Sequence, residues 1–223
     1  MASNPGDACL RLGVLISGSG SNLQALIDAI ESKELPGVEI TLVVSNKADA
    51  VGLQRALRHK IPAIYLPWKQ PLESEAKLAA LLHLFQVDLL VLAGWMRILS
   101  ADFLEQFQQR VINLHPALLP DDGLGTNYIT ADGASIPVFR GLHAVRQALD
   151  AEVTVTGSTV HYVTAEVDAG PVICRQEVAI EPGDTEESLH ERIKAVEHRL
   201  IVEAVRKCMN RYNTSLRLTE VFP

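Results

Sequence analysis

The chain has 223 residues, 48% of them hydrophobic and 21% charged, which is enough apolar material for one large α/β domain or two small ones and excludes a disordered chain. Its formal net charge of −7 argues against a nucleic-acid backbone or an anionic membrane as the main partner, and leaves open a local pocket for one small anion. The three cysteines, Cys9, Cys174 and Cys208, are odd in number and lack metal-ligand spacing, so they read as unpaired thiols in a reducing compartment.

In chain order, residues 1–7 show neither a basic n-region nor an apolar h-region, and no later run reaches membrane-spanning length, so the chain reads as cytoplasmic. Residues 11–17 (RLGVLIS) form a short apolar run, followed by GSGSNLQALIDAIES with Leu23, Leu26, Ile27 and Ile30 at helical spacing. The pattern predicts strand, glycine loop and helix, with Gly18 and Gly20 allowing a tight turn and Ser21 or Asn22 as N-cap. Such a loop aims free N–H groups and the helix dipole at one point, where a phosphate would sit. The pattern is neither GxGxxG nor a Walker loop, and glycine turns before helices also occur without any ligand.

Further strands are predicted at 38–45, 63–66 and 88–93, with helices at 48–59 and between Trp68 and Phe85. Residues 88–93 (DLLVLA) are apolar almost throughout, as in a parallel strand buried on both faces. This alternation predicts a doubly wound sheet with its ligand site along the carboxyl ends of the strands. After Gly94–Ser100, Ser100 or Asp102 starts a helix carrying Phe103, Leu104 and Phe107. Residues 111–114 are the fifth strand, leading into VINLHPALLP, where Asn113 and His115 alternate by two and share one face while Pro116 ends the ladder. An amide that polarises a carbonyl oxygen and an imidazole that carries a proton then reach the same edge as the glycine loop. The plainer readings are a turn-capping Asn113 and a hydrogen-bonded core histidine.

Residues 121–140 (DDGLGTNYITADGASIPVFR) read as a long loop, with one hairpin on Tyr128-Ile129 and Ile136-Pro137-Val138. A short helix at 141–150, a strand at 154–162, an acidic loop at 164–170 and a strand at 171–180 follow. Asp184 with Glu187 forms a capping box for a long helix over 185–209, and the tail beyond Asn210 is loosely attached.

Together, GVLISGSGSNLQALI, VVSNKADAVGL, LLVLAGWMRILS, VINLHPALLP and GSTVHYVTAEVDAGPVI resemble the phosphoribosylglycinamide formyltransferases over about residues 10–209. The resemblance implies a Rossmann-like formyltransferase fold, α/β, with a mostly parallel doubly wound sheet and an antiparallel extension in the C-terminal half. It implies one domain, with a nucleotide-binding half over about 1–112 and a folate-binding, catalytic half over about 113–223. The implied reaction, in purine biosynthesis, moves a formyl group from 10-formyltetrahydrofolate to the amine of glycinamide ribonucleotide, with no metal. The implied partners are small molecules, with no nucleic acid or membrane, for a monomer or homodimer.

Carried over by position, the resemblance makes Asn113, His115 and Asp168 the catalytic trio and Gly20, Ser21 and Asn22 the phosphate loop. Glu197 becomes the carboxylate for the ribose hydroxyls, with a solvated helix glutamate as its plainer reading. Met96, Arg97, Ile98 and Leu99, with Thr164, Ala165, Glu166 and Val167, become the folate-binding segments, mainly through backbone groups; core packing is the plainer reading for Met96, Ile98 and Leu99. Thr159 and His161 support the trio. Without the resemblance Asp168 reads as a turn carboxylate.

Two departures stand out. The family joins LLP to the following glycine by a few residues, whereas 121–140 intervene here; FRGLHAV resembles the family's ordinary continuation, so the extra material is an insertion next to His115, as a lid, an excursion, an engineered element or a disruption of the folate side. A basic residue before the helix preceding DLLVLAG has no secure counterpart, and Lys69 is the better of Lys69 and Lys77. The alternatives are a formyltetrahydrofolate hydrolase, with water in place of the amine, and a ligand-binding protein inactivated by the insertion.

Overall fold

The computed structural model describes residues 9–221, with side chains through residue 214; residues 1–7, where a leader was sought, lie outside the described residues. The elements alternate as β1 (Leu10–Ile16), α1 (Ser21–Glu31), β2 (Val38–Ser45), α2 (Val51–Arg58), β3 (Ala63–Tyr65), α3 (Pro71–Leu84), β4 (Leu89–Leu92), α4 (Ala101–Gln106) and β5 (Val111–His115). A hairpin of β6 (Asn127–Ile129) and β7 (Ser135–Pro137) precedes α5 (Ala144–Asp150), β8 (Val155–Tyr162), β9 (Val172–Ala179) and α6 (Glu186–Val221).

Seven strands form one sheet in the order β3-β2-β1-β4-β5-β8-β9. The first five are parallel, and β8 and β9 extend the sheet antiparallel. Period-two alternation divides the strand residues between two cores. Val14, Ile16, Val91, Ile112 and Leu114 face the layer that includes Leu23 and Leu26 of α1 and Ile193 and Leu200 of α6. Leu15, Leu90, Leu92 and Val111 face Leu78 and Leu82 of α3 and Phe103 of α4. Burial on both faces explains the unbroken apolar runs, each buried large side chain contributing about 1.5–3 kcal/mol. Among the described residues no helix is long and apolar enough to cross a membrane.

Chain order reverses between β1 and β4, so a crevice opens at their carboxyl ends. The glycine loop leaves β1 on one side and the Gly94–Ser100 segment leaves β4 on the other. Ser17 ties these exits together, accepting the Met96 N–H at 2.9 Å and donating to Asn46 Oδ1 at 2.7 Å.

Three local expectations are corrected. Neither Ser21 nor Asn22 caps α1; Gly20 holds that position at φ 69°, where a Cβ would lie 2.7 Å from the Gly52 Cα. The box at the start of α6 is made by Thr185 and Ser188, each accepting the other's backbone N–H, because Asp184 is engaged by Arg192 and the Glu181 N–H. The tail beyond Asn210 continues α6 through Val221, with Met209 and Tyr212 packed on the core and Arg211 donating to the Tyr162 hydroxyl at 3.1 Å.

The expected hairpin forms, with Tyr128 opposite Ile136. It lies along β9: the Tyr128 hydroxyl and the Ala131 N–H both donate to Glu177 Oε1, at 3.1 and 2.8 Å, and the Arg175 guanidinium sits 5.0 Å above the Tyr128 ring. Arg175 also pairs with Asp121 at 2.6 Å, where the insertion begins.

Candidate active site

β5 presents Asn113 and His115 on one face because Ile112 and Leu114 take the other into the core. Its neighbour β8 sets His161 opposite Asn113 and Thr159 opposite His115. Thr159 is fully buried; its hydroxyl donates to the Ala117 carbonyl at 2.7 Å and accepts the Leu119 N–H at 3.2 Å, holding the chain that follows His115.

Asp168 arrives from the loop between β8 and β9. That loop folds so tightly that a Cβ on Gly170 would stand 1.7 Å from the Tyr162 carbonyl oxygen, so glycine is required there. Asp168 itself adopts φ 51°, a left-handed conformation that aspartate tolerates better than most residues. Its Oδ1 accepts from Asn113 Nδ2 at 3.3 Å, with His161 Nε2 at 3.5 Å, and its Oδ2 lies 3.3 Å from His115 Nδ1 and accepts the Gly141 N–H at 2.8 Å. The three residues placed apart in sequence therefore meet, with His115 3% and Asp168 8% exposed.

Burial by itself would raise the Asp168 pKa; His161, the His115 charge and the Gly141 N–H outweigh it and hold the group at about 2. Burial pushes His115 below the ordinary imidazole range, against the opposing pull of Asp168 and of the Phe139 carbonyl, while His161 and Arg140 add to the depression. The imidazole donates from Nε2 to that carbonyl at 2.8 Å. One N–H is thus aimed at an oxygen acceptor, with a carboxylate behind the ring.

At the β1 end, Asn22 Nδ2 donates to Glu197 Oε2 at 3.0 Å, both residues buried, which joins the glycine loop to α6. Two inter-strand spacings, about 10 Å, separate β1, which leads into the glycine loop, from β5, which carries Asn113 and His115. Arg55, which sequence reasoning passed over, donates from Nε to the Ser19 carbonyl at 2.8 Å, and the Gly52 N–H donates to the Gly18 carbonyl at 3.1 Å. The loop conformation therefore depends on α2 as well as on its own glycines.

On the opposite rim Met96 and Ile98 are 52% and 73% exposed, so core packing does not explain them, whereas Leu99 is buried at 5% and offers only backbone to a ligand. Arg97 and Thr164, Ala165, Glu166 and Val167 are exposed as well. Lys69 is exposed, and Lys77 pairs with Glu73 at 2.6 Å. Sequence reasoning also missed Phe139, Arg140 and Gly141: the first accepts from His115, the second donates from Nε to the Asp168 carbonyl at 3.1 Å, and the third donates to the Asp168 carboxylate. Among the described residues no group of three or more His, Cys, Asp and Glu side chains is placed to hold a metal ion.

Comparison with known proteins gives a consistent result. The formyl transferase family model matches residues 10–205. The chain is 37% identical over 193 residues to the phosphoribosylglycinamide formyltransferase of Haemophilus influenzae, covering 85% of this chain and 82% of that one. It is 39% identical over 198 residues to the human trifunctional purine biosynthetic protein adenosine-3, of which it spans only 18%. The crystal structure of glycinamide ribonucleotide transformylase 1 from Symbiobacterium toebii superposes with a TM-score of 0.80 at 39% identity, covering 93% of each chain.

Proposed function

Because the chain belongs to the formyl transferase family, we propose that it transfers a formyl group from 10-formyltetrahydrofolate to the primary amine of glycinamide ribonucleotide, a step of purine biosynthesis. The observation that carries this reading is the meeting of Asn113, His115 and Asp168 at the sheet edge that also bears the glycine loop. In this reading residues 1–112 supply the nucleotide side and 113–223 the folate side of one domain. The enzyme works in the cytoplasm on small molecules, as a monomer or homodimer.

The amine nitrogen attacks the formyl carbon and the carbonyl oxygen becomes an oxyanion. Asn113 Nδ2–H and His115 Nε2–H are the donors available to it, His115 once the oxyanion displaces the Phe139 carbonyl that accepts its N–H in this structure. Asp168 steadies the charge on His115 and helps relay the amine proton, directly or through water, to the folate N10. The C–N10 bond then breaks, giving the formylated amine and tetrahydrofolate.

Gly20, Ser21 and Asn22 receive the phosphate, Glu197 the ribose hydroxyls, and Met96–Leu99 with Thr164–Val167 the pterin, Leu99 through its backbone. Ser21→Asp is expected to raise the KM for glycinamide ribonucleotide by about tenfold, or about 1.4 kcal/mol, by setting a carboxylate against the phosphate, with the KM for the folate unchanged. An unchanged nucleotide KM in steady-state assays would move the phosphate elsewhere. The reaction itself is tested by the absorbance change of a 10-formylfolate donor with and without the amine: dependence on the amine supports transfer, and equal loss of formyl group without it indicates hydrolysis.

A further inference from the structure

Phe139 and Arg140, which end the 121–140 segment, and Gly141 just after it reach the trio: the Phe139 carbonyl takes the His115 Nε2–H, Arg140 donates to the Asp168 carbonyl, and the Gly141 N–H donates to the Asp168 carboxylate. Arg140 does more than its neighbours. While Nε holds Asp168, Nη2 donates to the carbonyls of Gly123 and Gly125, at 2.6 and 2.9 Å, so one guanidinium joins the first turn of the insertion to the turn that carries the carboxylate. A second contact joins the same two turns. Gly123 sits at φ 75°, where a Cβ would come within 2.5 Å of the Ala169 carbonyl and of the Gly170 oxygen.

We propose that Arg140 is a positioning residue for Asp168, and that the first turn of the insertion is the template against which it is held. The inference rests on the formyl-transfer reading for its effect on turnover. Asp168 occupies a left-handed conformation that the isolated turn would not favour, and its two oxygens serve three side chains at once. A planar fork spanning three carbonyls fixes both direction and distance, which a single ammonium cannot do. The insertion is therefore part of the catalytic scaffold, and its hairpin, clamped on β9 by Tyr128, Arg175 and Glu177, is the far anchor of that part.

The test compares the full chain with Arg140→Met, Arg140→Lys, Gly123→Ala and, as a control on an exposed ion pair, Arg146→Met. Arg140→Met is expected to lower kcat about 10- to 100-fold with the KM for glycinamide ribonucleotide within about twofold, because the glycine loop and Glu197 stay in place while the turn that carries the carboxylate drifts. Guanidinium ion added to Arg140→Met restores part of the loss, Arg140→Lys recovers little, and Gly123→Ala loses kcat without rescue. The imidazole 15N resonances of His115, read without substrate, move in Arg140→Met and stay fixed in Arg146→Met. A kcat within twofold of the parent, or a loss confined to KM, overturns the proposal. Should Arg140→Met not fold, Gly123→Ala decides, and an unchanged kcat and His115 spectrum there overturn it. A parent chain without amine-dependent transfer defeats the formyl-transfer reading alone, since the His115 resonances still report whether Arg140 positions Asp168.

Discussion

His115→Ala is expected to lower kcat for formyl transfer by about 10²- to 10³-fold, the usual consequence of removing one oxyanion donor. The KM for glycinamide ribonucleotide should stay within about twofold, because the glycine loop follows β1, two strands from β5, and Glu197 is bonded to Asn22 at that loop. The side chain is buried, but it sits where β5 ends and is held by polar contacts, so its loss removes little core packing. Steady-state kinetics with a thermal melt separate the two effects. Undiminished turnover in a folded variant would refute the assigned role.

Asp168→Asn should be as damaging to turnover, and it also changes the response to acid. A carboxyl held at about 2 against an ordinary 3.8 favours the folded state above its unfolded pKa, and that contribution is lost as pH falls from about 4 through 2. The difference corresponds to about 2 kcal/mol at neutral pH. His115 acts in the same direction at higher pH: its depressed pKa means that the unfolded chain takes up a proton first as pH falls through about 6.5, which also weakens the folded state. Asp168→Asn is therefore expected to be less stable than the parent at pH 7, with a flatter decline between pH 4 and 2, measured by denaturant titration across pH. It also removes the charge that favours the imidazolium, so the His115 midpoint falls further. Parallel stability curves for the two proteins would contradict the account.

The sheet was legible because β1, β2 and β4 are apolar on both faces and so admit one placement, in the middle of a parallel sheet. The hairpin was legible because turn residues separate two short apolar runs. The caps of α1 and α6 were misread, since they depend on how close Gly52 comes to Gly20 and on Arg192 engaging Asp184, both tertiary facts.

In the site, Asn113 and His115 were readable as a pair from their spacing and the proline after them. Asp168 was readable only through the family resemblance, because VDAG alone is an ordinary turn. Arg140 left no trace in the sequence: its partners are backbone carbonyls of Gly123, Gly125 and Asp168, and a carbonyl has no residue signature. The division of labour between exposed Ile98 and buried Leu99 likewise depended on where the chain turns after β4.

Movement of a formyl group from folate to an amine in this crevice has a direct readout. It is tested most directly by following a 13C-formyl label on 10-formyltetrahydrofolate in the presence of the full chain and glycinamide ribonucleotide. The label is expected to appear as an N-formyl carbon on the nucleotide, one for each tetrahydrofolate released, and to do so far more slowly with His115→Ala. Label recovered as free formate, at a rate indifferent to the amine, would contradict it.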